Sequence, residues 1–223
     1  MKPGLQTLAD LPWFTAFSPG QLAALHDLAD LARVGEQETL LRVGEPPGEL
    51  TILLSGFVAE TQTLRNTDAV VNIIAPVALI GLAPAVLDAV SPISAHTITA
   101  ARLLVFPAQP LRALLRADPA LALPFLHHAL AALQGTTQDL CAMKLQSATQ
   151  RLAAFLLDLA PDPDMSPARF VLPYEKRFIA ARIGCSQENL SRAFATLRDI
   201  GVETQRGVVV LRDLVRLRRF AQS

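Results

Sequence analysis

The chain has 223 residues, 51% of them hydrophobic, with twenty Lys/Arg against twenty Asp/Glu. That length suits one large or two small domains with a substantial core, and no run approaches the ~18 uncharged apolar residues a membrane span requires. The zero net charge is unevenly spread: residues 168–223 carry eleven basic and five acidic side chains, net +6, and residues 1–167 carry nine and fifteen, net −6. A basic C-terminal part suits a polyanion such as double-stranded DNA.

Met1-Lys2-Pro3 is followed by no apolar stretch of the kind a secretory leader has, so a cytoplasmic chain is expected. Two cysteines, Cys141 and Cys185, are too few for a disulfide framework or a one-chain four-thiolate metal or iron–sulfur site, and both read as buried or inert thiols. Ser18-Pro19-Gly20-Gln21 is a capping box with proline at the first helical position, and Leu22, Leu25, Leu28 and Leu31 extend the expected helix to about Ala32. From Thr39 to Phe106 short apolar runs alternate with Gly, Pro, Asn and Asp: Thr39–Leu41, Leu50–Leu54, Gly56–Glu60, Val70–Ile74, His96–Ala100 and Leu103–Phe106. Strands at that spacing predict a β-barrel or roll.

Helical pattern returns at Gln109–Ala117. Asp118 and Pro119 then open a long helix to about Lys144, with Pro124 near its start. Leu126, Leu130, Leu133, Thr137 and Leu140 are spaced 4, 3, 4, 3, a seam suited to a twin helix and hence a homodimer. Phe125, Ala129 and Ala132 form a second stripe for the helix's own domain. Ser147 with Gln150 is another capping box, opening a helix to Leu159, after which Pro161, Pro163 and Pro167 break the chain. The domain boundary is expected near 145.

Glu175–Ile183 and a helix from Gln187 read as a pair joined by a tight turn, with Gly184 at the left-handed C-terminal position and Ser186 as N-cap. Leu190, Phe194, Leu197 and Ile200 form the second helix's apolar stripe. Glu188, Ser191, Arg192 and Ala195 share another face, where Arg suits guanine O6 and N7, Glu suits cytosine N4–H₂, and Ser suits a phosphate or base. Taken alone, the segment also fits an amphipathic pair with a solvated polar face. Val202–Thr204 and Val208–Leu211 around Gln205-Arg206-Gly207 then read as a hairpin wing, and Asp213 as the cap of a helix over Leu214–Phe220. The element order is that of a winged helix-turn-helix.

With these elements in place the chain resembles the CRP/FNR superfamily of transcription regulators over nearly its whole length. VGEPPGELTILLSGFV at 43–58 is similar to its early barrel strands, and RIGCSQENLSRAFATL at 182–197 to its helix-turn-helix. Glu188, Ser191 and Arg192 match the E-x-x-S-R of the FNR branch, whose half-sites are of the TTGAT type. The resemblance implies an α+β chain. It implies a cupin-like β-roll sensor with a dimerisation helix at about 119–144 in residues 1–145, and a winged helix-turn-helix in residues 146–223. It also implies a palindromic DNA site, RNA polymerase as a partner, and an effector pocket between roll and long helix. The expected DNA contacts are Lys176, Arg177, Ser186, Gln187, Glu188, Ser191 and Arg192. Cyclic-nucleotide members carry Gly-Glu and Arg-Ser or Arg-Thr pairs. Here Gly81 is followed by Leu82 and Ile93 precedes Ser94, so a cyclic phosphate would find no cation. Haem-based gas sensing is another effector class in the superfamily, with His96, His127 and His128 as the candidate ligands and His26 as a surface residue; a small apolar or anionic metabolite, or no ligand at all, are the alternatives. A scaffold protein using its winged helix for protein contacts is the competing function. The sequence shows no Ser-His-Asp order, H-E-x-x-H, phosphate loop or metal-spaced acids of an enzyme, and Asp162 and Asp164 read as turn residues in a Pro-rich linker.

Overall fold

The computed structural model describes Lys2, Leu8, Leu11 and residues 14–64, 67–162 and 165–223, except the side chains of 64, 67 and 68. Pro163 and Asp164 of the expected linker lie outside the described residues. The chain divides into two compact units, Met1–Gly135 and Thr136–Ser223.

In the first unit helix α1, Pro19–Leu28, starts on the expected capping box, with Ser18 accepting from the Gln21 backbone and Gln21 reaching back. It stops before Ala32. Ala29 is extended, and Asp30–Val34 form β1, paired antiparallel with β8, Ala101–Pro107. Leu31 thus continues a spacing of three only by coincidence, because strand pairing outweighs local propensity. The remaining strands are β2 Thr39–Leu41, β3 Glu49–Ser55, β4 Val58–Leu64, β5 Thr67–Ile74, β6 Ala78–Ile80 and β7 Ser94–Thr97, with a short helix α2, Leu82–Leu87, after β6. They form two antiparallel four-stranded sheets, β1-β8-β3-β6 and β2-β7-β4-β5, the expected roll.

Leu41, Leu53, Val58, Ile74, Ala95 and Leu103 fill the roll. A second core packs Leu25 and Leu111 against Leu50, Ile52, Leu104 and Phe106. Leu111 belongs to helix α3, Ala108–Ala117. Gly56, between β3 and β4, holds φ +92°, and a Cβ there would sit 2.5 Å from the Ala100 carbonyl oxygen. Gly56→Ala therefore combines left-handed strain with a backbone clash, and should lower the first unit's stability by about 2–4 kcal/mol in chemical denaturation.

Asp118 accepts from the Ala120 backbone at the head of a 3₁₀ turn, Pro119–Leu121, and the long helix α4 runs Ala122–Leu145. Pro124 and Phe125 are buried in its first turn, but Ala129 and Ala132 are exposed. The second stripe is thus one residue deep rather than three.

The second unit holds the last turns of α4 and the helices α5 Ala148–Asp158, α6 Lys176–Arg182, α7 Gln187–Arg198 and α8 Leu214–Gln222. Its compact boundary falls inside α4 rather than after it, because those turns pack on the residues that follow: Met143 lies against Gly184, and Asp139 pairs with Arg182. Strands β9 Ala168–Val171, β10 Val202–Gln205 and β11 Val208–Leu211 form an antiparallel sheet in the order β10-β11-β9. The wing therefore has three strands, not the two expected. Leu152, Leu156, Ile179, Leu190, Phe194 and Leu197 centre the core.

Candidate nucleic-acid interface

Helix α7 begins where Ser186 stops the chain: its hydroxyl oxygen accepts from the Asn189 backbone N–H at 3.2 Å. The preceding turn needs Gly184, whose φ is +65°. Leu190, Ala193, Phe194 and Leu197 are buried, whereas Gln187, Glu188, Ser191 and Arg192 are exposed. The two faces foreseen from spacing are thus the two faces observed, except that Ile200 lies just past the helix end and is half-buried.

Within the exposed face, Arg192 Nη2 donates to Glu188 Oε1 one turn back, and both side chains are 73% exposed. An exposed i,i+4 pair contributes little to stability and separates readily. It holds a donor fork and an acceptor side by side. Ser191 Oγ donates to the Gln187 carbonyl at 3.0 Å, and the Ser186 hydroxyl is already engaged as the cap. Lys176 and Arg177 open α6. The Lys176 ammonium lies 5.0 Å from the centre of the Phe194 ring, and Arg177 stacks 4.5 Å from that of Phe178 while pairing with Glu175 at 3.0 Å.

The wing adds basic residues that the helix pattern did not single out. Arg206 and Gly207, with φ of +49° and +81°, form the two-residue tip between Gln205 and Val208, which makes the turn a type I′ hairpin. Arg206 is exposed there, and Arg169 is exposed on β9, whose pairing with β11 only the folded sheet reveals. Arg212 grips Glu203 with both ends of its guanidinium, and that hydrogen bond holds the Glu203 carboxyl below its ordinary range.

The turn ahead of α7 is held from behind. Arg151 of α5 donates from Nε to the Ile183 carbonyl at 2.7 Å, from Nη2 to that of Gly184 at 3.3 Å, and from Nη1 to that of Gln146. Arg182, closing α6, donates to Asp139 at 2.8 Å. These groups line a cavity of about 100 Å³ with Met143, Phe155 and Asp158. Burial pushes the Asp158 carboxyl up, with Arg182 opposing, and burial pushes the Tyr174 phenol up to about 12. Cys185, half-buried beside Ser186, has its thiol pushed up by burial, with Arg151 opposing. Cys141 is exposed on α4, not buried.

Two family models match the chain: a Crp-like helix-turn-helix domain over residues 150–220 and a cyclic nucleotide-binding domain over residues 32–118. The chain belongs to the CRP/FNR superfamily. It is a transcription regulator of this type with a helix-turn-helix DNA-binding domain. A Ruegeria pomeroyi protein described as cyclic-nucleotide-binding is 28% identical over 98% of this chain and 97% of its own, with a TM-score of 0.70. FixK2 of Bradyrhizobium japonicum is 20% identical over 86% of this chain and 96% of its own, with a TM-score of 0.72. The Xanthomonas campestris regulator CLP, described as c-di-GMP-responsive, is 19% identical over 88% of this chain and 100% of its own, with a TM-score of 0.68. The last two likenesses are likenesses of fold. No curated protein matches.

In this CRP/FNR chain the ligand-related residues expected in the first unit are placed as follows. Leu82 opens α2 and Ile93 precedes β7. Ser94 Oγ accepts from the Val43 backbone at 3.0 Å, and Arg112 is tied to Asp88 and to the Ala85 carbonyl. His96 alternates with the buried Ala95 and Thr97, which turns its ring to the outer face of β7. It therefore does not fit as an iron ligand inside the roll. His127 is exposed, and His128 is half-buried, with its imidazole held below the usual range by burial. His26, expected at the surface, is half-buried beside Asp27. Among the described residues no group of three or more His, Cys, Asp or Glu comes together to hold a metal ion, and no helix is long and apolar enough to cross a membrane.

Proposed function

We propose that this regulator acts as a homodimer that reads a two-fold symmetric site with TTGAT-like halves. An effector in the β-roll sets its activity, and RNA polymerase is its partner at the promoter. The observation that carries the reading is the exposed edge of α7, where Glu188, Ser191 and Arg192 stand on a helix whose opposite face is locked into the core. A helix so anchored can enter a major groove with its first two turns against base edges. In a symmetric pair the two such helices must lie one helical turn apart, ~34–36 Å, which fixes the half-site spacing. The long helix supplies the pairing surface. The effector acts by shifting that pairing between arrangements that match the DNA spacing and arrangements that do not.

Selection of bound duplexes from a random pool tests the reading. The expected product is a palindrome, and a pool with no two-fold sequence overturns it. Arg192→Ala should remove about 1–3 kcal/mol of discrimination at one guanine, while other positions keep theirs. Lys176→Ala, Arg177→Ala and Arg206→Ala should each reduce the salt dependence by about one phosphate's worth and leave sequence preference unchanged.

A further inference from the structure

One strand of the roll carries polar residues where its pattern calls for apolar ones. On β4, Val58 is fully buried and pairs with Ile74 of β5, both in the roll's apolar core. Two residues on, Glu60 stands opposite Asn72 of β5 on one side and Ala95 of β7 on the other. Ala95 belongs to the same core. Directly opposed residues of an antiparallel pair share a face, and alternate residues of a strand share a face. Glu60 and Asn72 therefore share the face of Val58; the register shifts after Glu60, and Gln62, two further along β4 and opposite the exposed Ala69, keeps its side-chain oxygen buried. This stretch of the β4–β5 pair holds a carboxylate and two amides.

These groups do not satisfy one another. Asn72 Nδ2 donates to Glu60 Oε2 at 2.9 Å. Gln62 Oε1 is buried and has no hydrogen-bond partner among the described residues. Among the described residues a single neutral N–H leaves this half-buried carboxylate with most of its acceptor capacity unused and its charge uncompensated. Burial pushes the Glu60 carboxyl upward, and the Asn72 hydrogen bond only partly opposes it. A surface built mostly of acceptors, one of them anionic, repels a phosphate and suits a partner that brings positive charge and several N–H donors.

We propose that this polar stretch of the β4–β5 pair takes a small organic cation, a protonated amine or amidine, with Glu60 as counter-ion and Gln62 and Asn72 beside it. The proposal rests on reading the roll as the effector domain and names its ligand class. It inverts the charge of the ligand that the matched domain model is named for. An ammonium or amidinium supplies the missing charge to Glu60 and a donor to Gln62 Oε1.

Titration calorimetry on the full-length protein tests this with ethylamine, phenethylamine and benzamidine. The shape-matched anion 3-phenylpropionate and cyclic AMP serve as the opposing probes. Saturable binding of at least one cation is expected, with at least tenfold weaker binding in Glu60→Gln and none of the two anions. Gln62→Leu removes the orphan oxygen. It should raise the thermal midpoint of the ligand-free protein by ~2–4 °C while weakening cation binding, a combination that a purely structural glutamine does not give. Binding of either anion in preference to the cations, cation binding unchanged by Glu60→Gln, no cation binding at all, or a lowered midpoint in Gln62→Leu each overturns the proposal. Duplex selection on the same preparations keeps the two readings apart. Failure to select a palindrome removes the regulator mechanism and leaves the cation result standing, and the converse holds equally.

Discussion

With aspartate at both Leu130 and Leu133, the protein should sediment as a monomer and lose ~10²–10⁴-fold of its affinity for a two-fold DNA site. Leu126, Leu130, Leu133 and Leu140 are 50%, 53%, 62% and 53% exposed in the single chain, on a helix of 24 residues. Their spacing of four, three and seven residues keeps them on one stripe of the helix, and a stripe of large apolar side chains in water is a surface that another helix can cover. Each leucine fully buried there contributes about 1.5–3 kcal/mol, so a few of them sustain a dimer. In the proposed dimer a two-fold axis through the seam would bring each residue near its own counterpart, so one substitution would install two carboxylates in the same apolar seam. The monomer keeps each recognition edge intact and loses only the link between them. Half-site binding should therefore survive at its intrinsic weak level, measured by titrating a single half-site beside the full one. A double variant that stays dimeric, or a monomer that binds the full site as tightly as before, would show that the seam is not the pairing surface.

The parts legible in the sequence are those specified by neighbouring residues. Ser18 with Gln21 and Ser147 with Gln150 both form the capping boxes their spacing announced, and Ser186 and Asp213 cap the helices they precede. A cap is a bond between residues three apart, so a short stretch contains all its information. The exposed edge of α7 was legible for the same reason. What the sequence hid depends on distant partners. β1 is a strand because residues 101–105 pair with it, and β9 because β11 does. The inward turn of Glu60 is invisible in Val-Ala-Glu-Thr-Gln-Thr, which has no apolar–polar alternation to mark a face, and becomes clear only once Ile74 and Ala95 are known to flank its face. The pairing of Asp139 with Arg182 spans 43 residues and has no local signature.

Arg151 is the residue whose removal should cost the second unit most. Its guanidinium reaches the carbonyls of Gln146, Ile183 and Gly184, the ends of α4 and α6, where no further helical turn exists to use those acceptors. Hydrogen bonds from a charged donor each contribute ~1.5–3 kcal/mol. Arg151 is only partly buried, so water replaces some of what is lost, and Arg151→Ala should destabilise the second unit by about 2–4 kcal/mol, read from chemical denaturation. Ile183 and Gly184 lead directly into the Ser186 cap, so the same loss loosens the start of α7, the proposed recognition helix. Duplex affinity should fall even at temperatures where the unit remains folded. Arg151→Lys separates the two effects. An ammonium keeps the charge but has no planar fork to reach three carbonyls at once, so it should restore part of the stability and little of the DNA affinity. If lysine restored both in proportion, Arg151 would be a charge that stabilises the fold and nothing more. If it restored stability alone, the geometry of the turn before α7, rather than the survival of the fold, is what Arg151 gives to DNA binding.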